Sequence, residues 1–189
     1  SSLDLLPTPT KIINSNTIDK GAALSPDEKH IAYMSMKHGL PQLFLKNIVN
    51  EKETLLFENT KQEFALSKPI WDISGTRIAS SINNKPFIIE FEQNQFSVRW
   101  LNEIIGEPIA WYKKSDAILF VDKNTHNDEI VRFNLTTNQI VSLKTQLTYK
   151  EVFLNDKDEL LSFHNGRVIS NGDTNLLNNK YFILRILLY

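Results

Sequence analysis

The chain contains no cysteine in its 189 residues. Disulfides, thiolate metal sites and cysteine nucleophiles are excluded together, and the redox compartment is left open. A net field of either sign is also missing: 21 basic residues stand against 22 acidic ones, a formal charge of −1. So even a balance does not gather phosphate backbones or anionic lipid, and no nucleic-acid binding is expected of this segment. No apolar run approaches the ~20 residues that span a bilayer; the longest is "YFILRILLY" at 181–189, interrupted by Arg185. Glycine is scarce, at six residues, and neither the dinucleotide fingerprint GxGxxG nor the phosphate loop GxxxxGK occurs. The start, "SSLDLLPTPT", carries neither a methionine nor a signal-peptide pattern, and is expected to be the processed or excised start of a piece of a larger protein. What remains is a hydrophobic content of 41% with 23% charged residues, enough apolar material for a packed core.

That apolar material recurs with a beat. "LSPDEKHIAYMS" (24–35) lies over "WDISGTRIASSI" (71–82), matching Ile31 to Ile78 and Ala32 to Ala79. Weaker copies follow in "WYKKSDAILFVD" (111–122) and "FLNDKDELLSFH" (153–164), where Phe153 takes the tryptophan position. The markers Ile31, Ile78, Ile118 and Leu160 are spaced by 47, 40 and 42 residues, the period of a propeller blade. Within each unit the chain reads as short strands between turns, with little helical periodicity. The sequence therefore predicts one all-β domain over 1–189: a β-propeller of about four four-stranded blades, as a partial or a small closed ring. The blades fall at about 21–57, 67–101, 107–144 and 149–177. Residues 8–14, "TPTKIIN", read as the outermost strand of a blade whose other strands lie elsewhere, pairing with the last blade if the ring closes. Turns are predicted at Ser25-Pro26-Asp27, Asn83-Asn84, Gln93-Asn94, Thr136-Thr137-Asn138, Asn165-Gly166 and Asn171-Gly172.

The order "LSPDEKHIAYMS", "QLFLKNI", "TLLF" resembles the TolB-like propeller repeat, whose pattern is Ser-Pro-Asp-Gly, a basic residue, Ile-Ala and a Leu-Tyr-Val-Lys-like third strand. The resemblance covers residues 8 to about 164 and is strongest in the first copy. Glu28 departs from it where the repeat has glycine, and Asp72-Ile73-Ser74 departs from Ser-Pro-Asp. Together with the Lys- and Asn-rich, cysteine-free character, this style of repeat resembles the extracytoplasmic part of CadC- or ToxR-like membrane-anchored transcriptional regulators. The resemblance implies a non-catalytic sensor or protein-interaction propeller, located in the periplasm and joined to the membrane only through an upstream helix; a cytoplasmic location stays open. Two other readings share the fold: a periplasmic TolB-like scaffold, and the propeller of a prolyl-oligopeptidase-like peptidase whose hydrolase domain lies outside this sequence.

Chemistry-bearing residues are scattered. His30, His38, His126 and His164 stand at or beside predicted turns without zinc-ligand spacing. Ser25 has Asp27 nearby but lacks the Gly-x-Ser-x-Gly elbow, and reads as a turn residue. Asp122, Asp128 and Glu129 flank a loop without the spacing or central glycine of a calcium loop. Asn134-Leu135-Thr136 fits the glycosylation triplet, a pattern common by chance. No catalytic, metal-binding or cofactor-binding residue is assigned, and no cofactor is implied. Trp71 and Trp111, equivalent in the repeat, are expected to pack between blades, with Trp100 closing an outer strand. A small-molecule signal, if bound, is expected at the axial mouth of the ring. The tail 181–189 is apolar on both faces of any strand. Tyr181, Phe182, Leu184, Leu187, Leu188 and Tyr189 are therefore the candidate interface, to be buried against the monomer's own sheet, a protein partner or a second copy.

Overall fold

The computed structural model describes residues 12–13, 19–61, 65–93, 95–124, 128–143, 152–164 and 167–170. Among them every regular element is a strand. The first sheet comprises β1 (Asp19–Leu24), β2 (His30–Ser35), β3 (Gln42–Asn47) and β4 (Glu53–Phe57). The second comprises β5 (Ile70–Trp71), β6 (Arg77–Ile82), β7 (Lys85–Glu92) and β8 (Gln95–Trp100). The third comprises β9 (Gly106–Trp111), β10 (Ala117–Asp122), β11 (Glu129–Asn134) and β12 (Ile140–Ser142). The fourth comprises β13 (Val152–Leu154), β14 (Leu160–His164) and β15 (Arg167–Ser170). Each sheet is an antiparallel meander in chain order.

Second strands carry the burial because both of their faces are covered. Every residue of β10 is buried, as are five of the six in β2 and in β6, so these strands read as apolar and small-residue runs rather than as clean alternations. The even and odd sides then pack on different neighbours. Ile78 points back to Ala32, Leu43 and Leu56 of the first sheet, while Ala79 points forward to Trp111, Ile118 and Phe133 of the third. Leu119 and Val121 continue the stack onto Val152 and Leu160 of the fourth. The inner strands lie side by side in order, β1 by β5, β5 by β9 and β9 by β13. Among the described residues the sheets form an arc of blades that is not closed into a ring.

The register confirms the repeat in three blades: Leu24 faces Ile31, Trp71 faces Ile78 and Trp111 faces Ile118. In the fourth, Leu154 faces Leu160, so it is Leu154 and not Phe153 that takes the tryptophan position. The turn there is one residue shorter. It closes in the same way, Asp158 N–H donating to Asn155 O at 3.0 Å as Glu28 does to Ser25 O (2.9 Å) and Gly75 to Asp72 O (3.1 Å). However, only Glu159 separates Asp158 from Leu160, where two residues separate Glu28 from Ile31 and Gly75 from Ile78.

Turn chemistry follows the backbone. Asn83 and Asn84 have φ of 47° and 61°, the paired left-handed residues of a type I′ hairpin. Glu28, standing where the resembled repeat has glycine, is held at φ 58°, and Gly75 in the equivalent place of the second blade is at φ 71°. Of the predicted outer strand 8–14, residues 12 and 13 are described. Ile12 and Ile13 pack on Ile31, Tyr33 and Phe44, and Ile12 O accepts from Lys46 Nζ at 2.7 Å. They cover the face of the first blade that points away from the second. The pairing of 8–14 with the last blade, the turns at Asn165-Gly166 and Asn171-Gly172, and the tail 181–189 with its six interface candidates lie outside the described residues.

Candidate functional site

Blades that meet closely at their inner strands spread apart toward their outer ones, and side chains must fill the wedge. Between the first and second blades they fill it incompletely. A cleft of about 510 Å³ opens there, beside the β1–β2 and β3–β4 turns. Its apolar lining includes Leu45, Leu56, Trp71, Phe91 and Phe96. Trp71 is anchored by its indole N–H, which donates to Ala23 O of the first blade at 3.1 Å. Its ring stacks on Phe91, with centroids 5.7 Å apart, and Phe91 meets Phe96 at 6.3 Å. Phe96 is 38% exposed, so the aromatic row runs from the wedge to solvent.

The opposite wall is polar and preorganised. Ser25 Oγ donates to Asp27 Oδ1 at 2.5 Å and accepts from His30 N at 3.0 Å, while Lys29 N donates to the same carboxylate oxygen at 3.1 Å. These bonds, that from Ser25 first, hold the Asp27 carboxyl below its ordinary value against a small opposing effect of burial. Asn47 Oδ1 accepts from the amides of Val49 (2.9 Å) and Asn50 (3.1 Å). The Asn47 amide nitrogen, 3.1 Å from His30 Nε2, is therefore the donor of that pair. The other ring nitrogen of His30, Nδ1, faces Asp27 at 3.8 Å.

The next wedge is covered. Trp111 repeats the anchoring, its indole N–H donating to Ile70 O at 3.0 Å. Arg77 then lies over the Trp111 ring, 4.5 Å from its centroid, tied to Asp72 at 3.1 Å and to Asp116 at 2.6 Å. Burial works against the Arg77 charge, but the two carboxylates outweigh it and raise its pKa further. In the third wedge the fourth blade reaches back: both Asp158 carboxylate oxygens accept backbone amides of the third blade, from Lys113 (2.7 Å) and Lys114 (2.8 Å).

The residues singled out in the sequence do not converge on one centre. His38 Nδ1 pairs with Gln42 Oε1 at 2.7 Å, His164 lies in β14, and His126 is outside the described residues. Ser25 serves its turn, as expected. Asp122 accepts from Asn124 N (2.8 Å), Asp128 pairs with Lys123 and Glu129 accepts from Ser142 Oγ (3.0 Å). Among the described residues no group of three His, Asp or Glu could hold a metal. Asn134 Oδ1 is occupied by the amides of Thr136 (3.0 Å) and Thr137 (2.9 Å). Trp111 is core, 7% exposed, whereas Trp100 is 42% exposed on the outer strand. Trp71 both packs and lines the cleft. Among the described residues the arc is not closed into a ring, and the cleft lies laterally, between two blades. Phe91 and Phe96 are site residues that the repeat pattern does not single out. Their signal in the sequence is the pairing of β7 with β8, where they face one another across the ladder.

No family model matches the chain, and no curated protein matches it in sequence. Solved structures do share its architecture. The chain is similar to TolB from Acinetobacter baumannii at 16% identity and a TM-score of 0.62, over 86% of this chain and 42% of that one. It is similar to a chain of a nidogen/laminin complex at 12% identity and a TM-score of 0.60, over 82% and 60%. It is also similar to an oligogalacturonate lyase in complex with manganese at 13% identity and a TM-score of 0.55, over 81% and 46%. The fold is that of a TolB-like β-propeller. The chain spans less than two thirds of the length of each of these proteins.

Proposed function

We propose that this propeller acts by binding a protein partner through the lateral cleft between its first two blades, and not by catalysis. The observation that carries the reading is the aromatic row Trp71, Phe91 and Phe96, open to solvent and faced by a preorganised polar wall. Large rings offer contact area at low entropic cost, and Trp and Tyr are enriched at binding hot spots. Two of the similar structures favour the same class, since one is a TolB and another comes from a nidogen/laminin complex. Within that class we assign the chain to the periplasm, as a TolB-like scaffold or, more specifically, as the sensor portion of a membrane-anchored winged-helix regulator. The repeat style of residues 8–164 supports the regulator reading. A photoreactive amino acid placed at Phe96 in the full-length parent protein tests the binding role. A discrete crosslinked protein from Phe96, absent from the exposed control position Val141 on β12 of the third blade, is expected; equal capture at both positions would remove the cleft from the reading. Protease added to intact spheroplasts should reach the propeller if it is periplasmic.

A further inference from the structure

We infer that the cleft seats an arginine side chain of a partner peptide, with its guanidinium lying on the Trp71 indole. The pseudo-symmetry of the blades carries this. In the second wedge the anchored indole of Trp111 is covered by Arg77, the first residue of β6, whose charge is held by Asp72 and Asp116. The equivalent first residue of β2 is His30, and it is turned aside: its ring is committed to Asn47 and faces Asp27. Among the described residues no cation stands over Trp71. The same indole, anchored in the same way, borders an open cleft of about 510 Å³.

The lining matches a guanidinium. Asp27 and Glu92 are acidic and Lys52 is basic, so the carboxylates of the lining outnumber its ammonium groups. Asp27 is kept ionised by Ser25 and Lys29, yet half of its side chain is exposed, at 54%. A planar guanidinium can stack on an indole while its edge donates to a carboxylate, which an ammonium cannot do as well. Gln93 and Gln95, also in the lining, supply donors and acceptors for the main chain on either side of such a side chain. The inference rests on the protein-binding reading and specifies what the partner presents.

The test follows the indole N–H resonances of Trp71, Trp100 and Trp111 in the 189-residue chain during titration with the peptide acetyl-Gly-Arg-Gly-amide. A saturable shift at Trp71 is expected, with Trp111 unmoved. The citrulline peptide, neutral and of the same shape, should bind about tenfold more weakly, and Glu92→Gln should weaken the arginine peptide about threefold. His30→Arg places a cation where Arg77 stands in the next wedge, and should abolish the titration while leaving the Trp111 resonance in place. An unmoved Trp71, equal binding of the citrulline peptide, or wild-type titration of His30→Arg would overturn the inference. Free arginine amide binding as tightly as the tripeptide would overturn its peptide component. If the peptide fails while crosslinks from Phe96 persist, the protein-binding reading stands and the arginine seat falls. A saturating peptide without crosslinks supports the arginine seat and counts against a protein partner at the cleft.

Discussion

At the scale of single residues, one position shows a turn imposing its geometry on an ill-suited side chain. Glu28 is exposed and left-handed, at φ 58°, a conformation that costs an L-residue roughly 1–2 kcal/mol. Glycine would remove that strain but lose more entropy on folding, by about 0.5–1 kcal/mol. Glu28→Gly is therefore expected to raise stability by roughly 0.5 kcal/mol in urea unfolding, and a clear loss would mean that Glu28 makes contacts the turn needs. The tryptophans are a second case. Equivalent in sequence, they differ in cover: Trp111 is 7% exposed under Arg77, and Trp71 borders the cleft. Trp111→Ala should cost about 3–5 kcal/mol by loss of a packed ring. Trp71→Ala should cost about 1–2 kcal/mol less, since part of its surface is already wet; equal losses would place Trp71 fully in the core.

At the scale of elements, the first blade ties its outer strand to its second through one carboxylate. Glu53 on β4 accepts from Lys37 Nζ at 2.5 Å and from Tyr33 OH on β2, while the Lys37 ammonium lies 3.7 Å from the Phe44 ring centroid. Burial pushes the Glu53 carboxyl upward, but the hydrogen bonds from Lys37 and Tyr33 outweigh it, and the folded value falls below the ordinary 4.5. A carboxyl lowered on folding stabilises the native state above its unfolded value and loses that contribution as pH falls through its folded value. Acid unfolding should therefore show a falling limb below pH 4.5 that Glu53→Gln flattens. An unchanged limb in that variant would assign acid sensitivity to other carboxylates. Elements are also what the sequence displays best. The strand–turn–strand order of each blade is legible because apolar runs end at Asn, Gly, Pro and Asp clusters. The shortened fourth turn is not, because a one-residue deletion shifts the register without altering composition.

At the scale of the whole molecule, docking of one blade on the next depends on bonds that no local pattern announces. Asp158, itself left-handed at φ 65°, caps the amides of Lys113 and Lys114 across the third wedge. Asp158→Ala should cost about 0.5–1.5 kcal/mol by removing both bonds. Amide hydrogen exchange at Lys113 and Lys114 should accelerate while that of the β6 core stays slow. Uniform acceleration would show that the blades unfold only together. The candidate cleft belongs to this scale too. It exists because Arg77 seals one wedge and His30 does not seal the other, a difference between two positions that look interchangeable when the repeats are laid side by side.

The sequence alone determined the class of structure: a beat of 40 to 47 residues, carried by short strands between turns with little helical periodicity, fits repeated sheets that cover one another on both faces. It also determined where the turns fall, because left-handed and φ-restricted positions select particular side chains. Only the tertiary structure decided which indole is covered, which turn loses a residue and where the cavity opens. Those outcomes depend on the distance and angle between neighbouring blades, and a side chain's partner across a wedge stands some forty residues away along the chain.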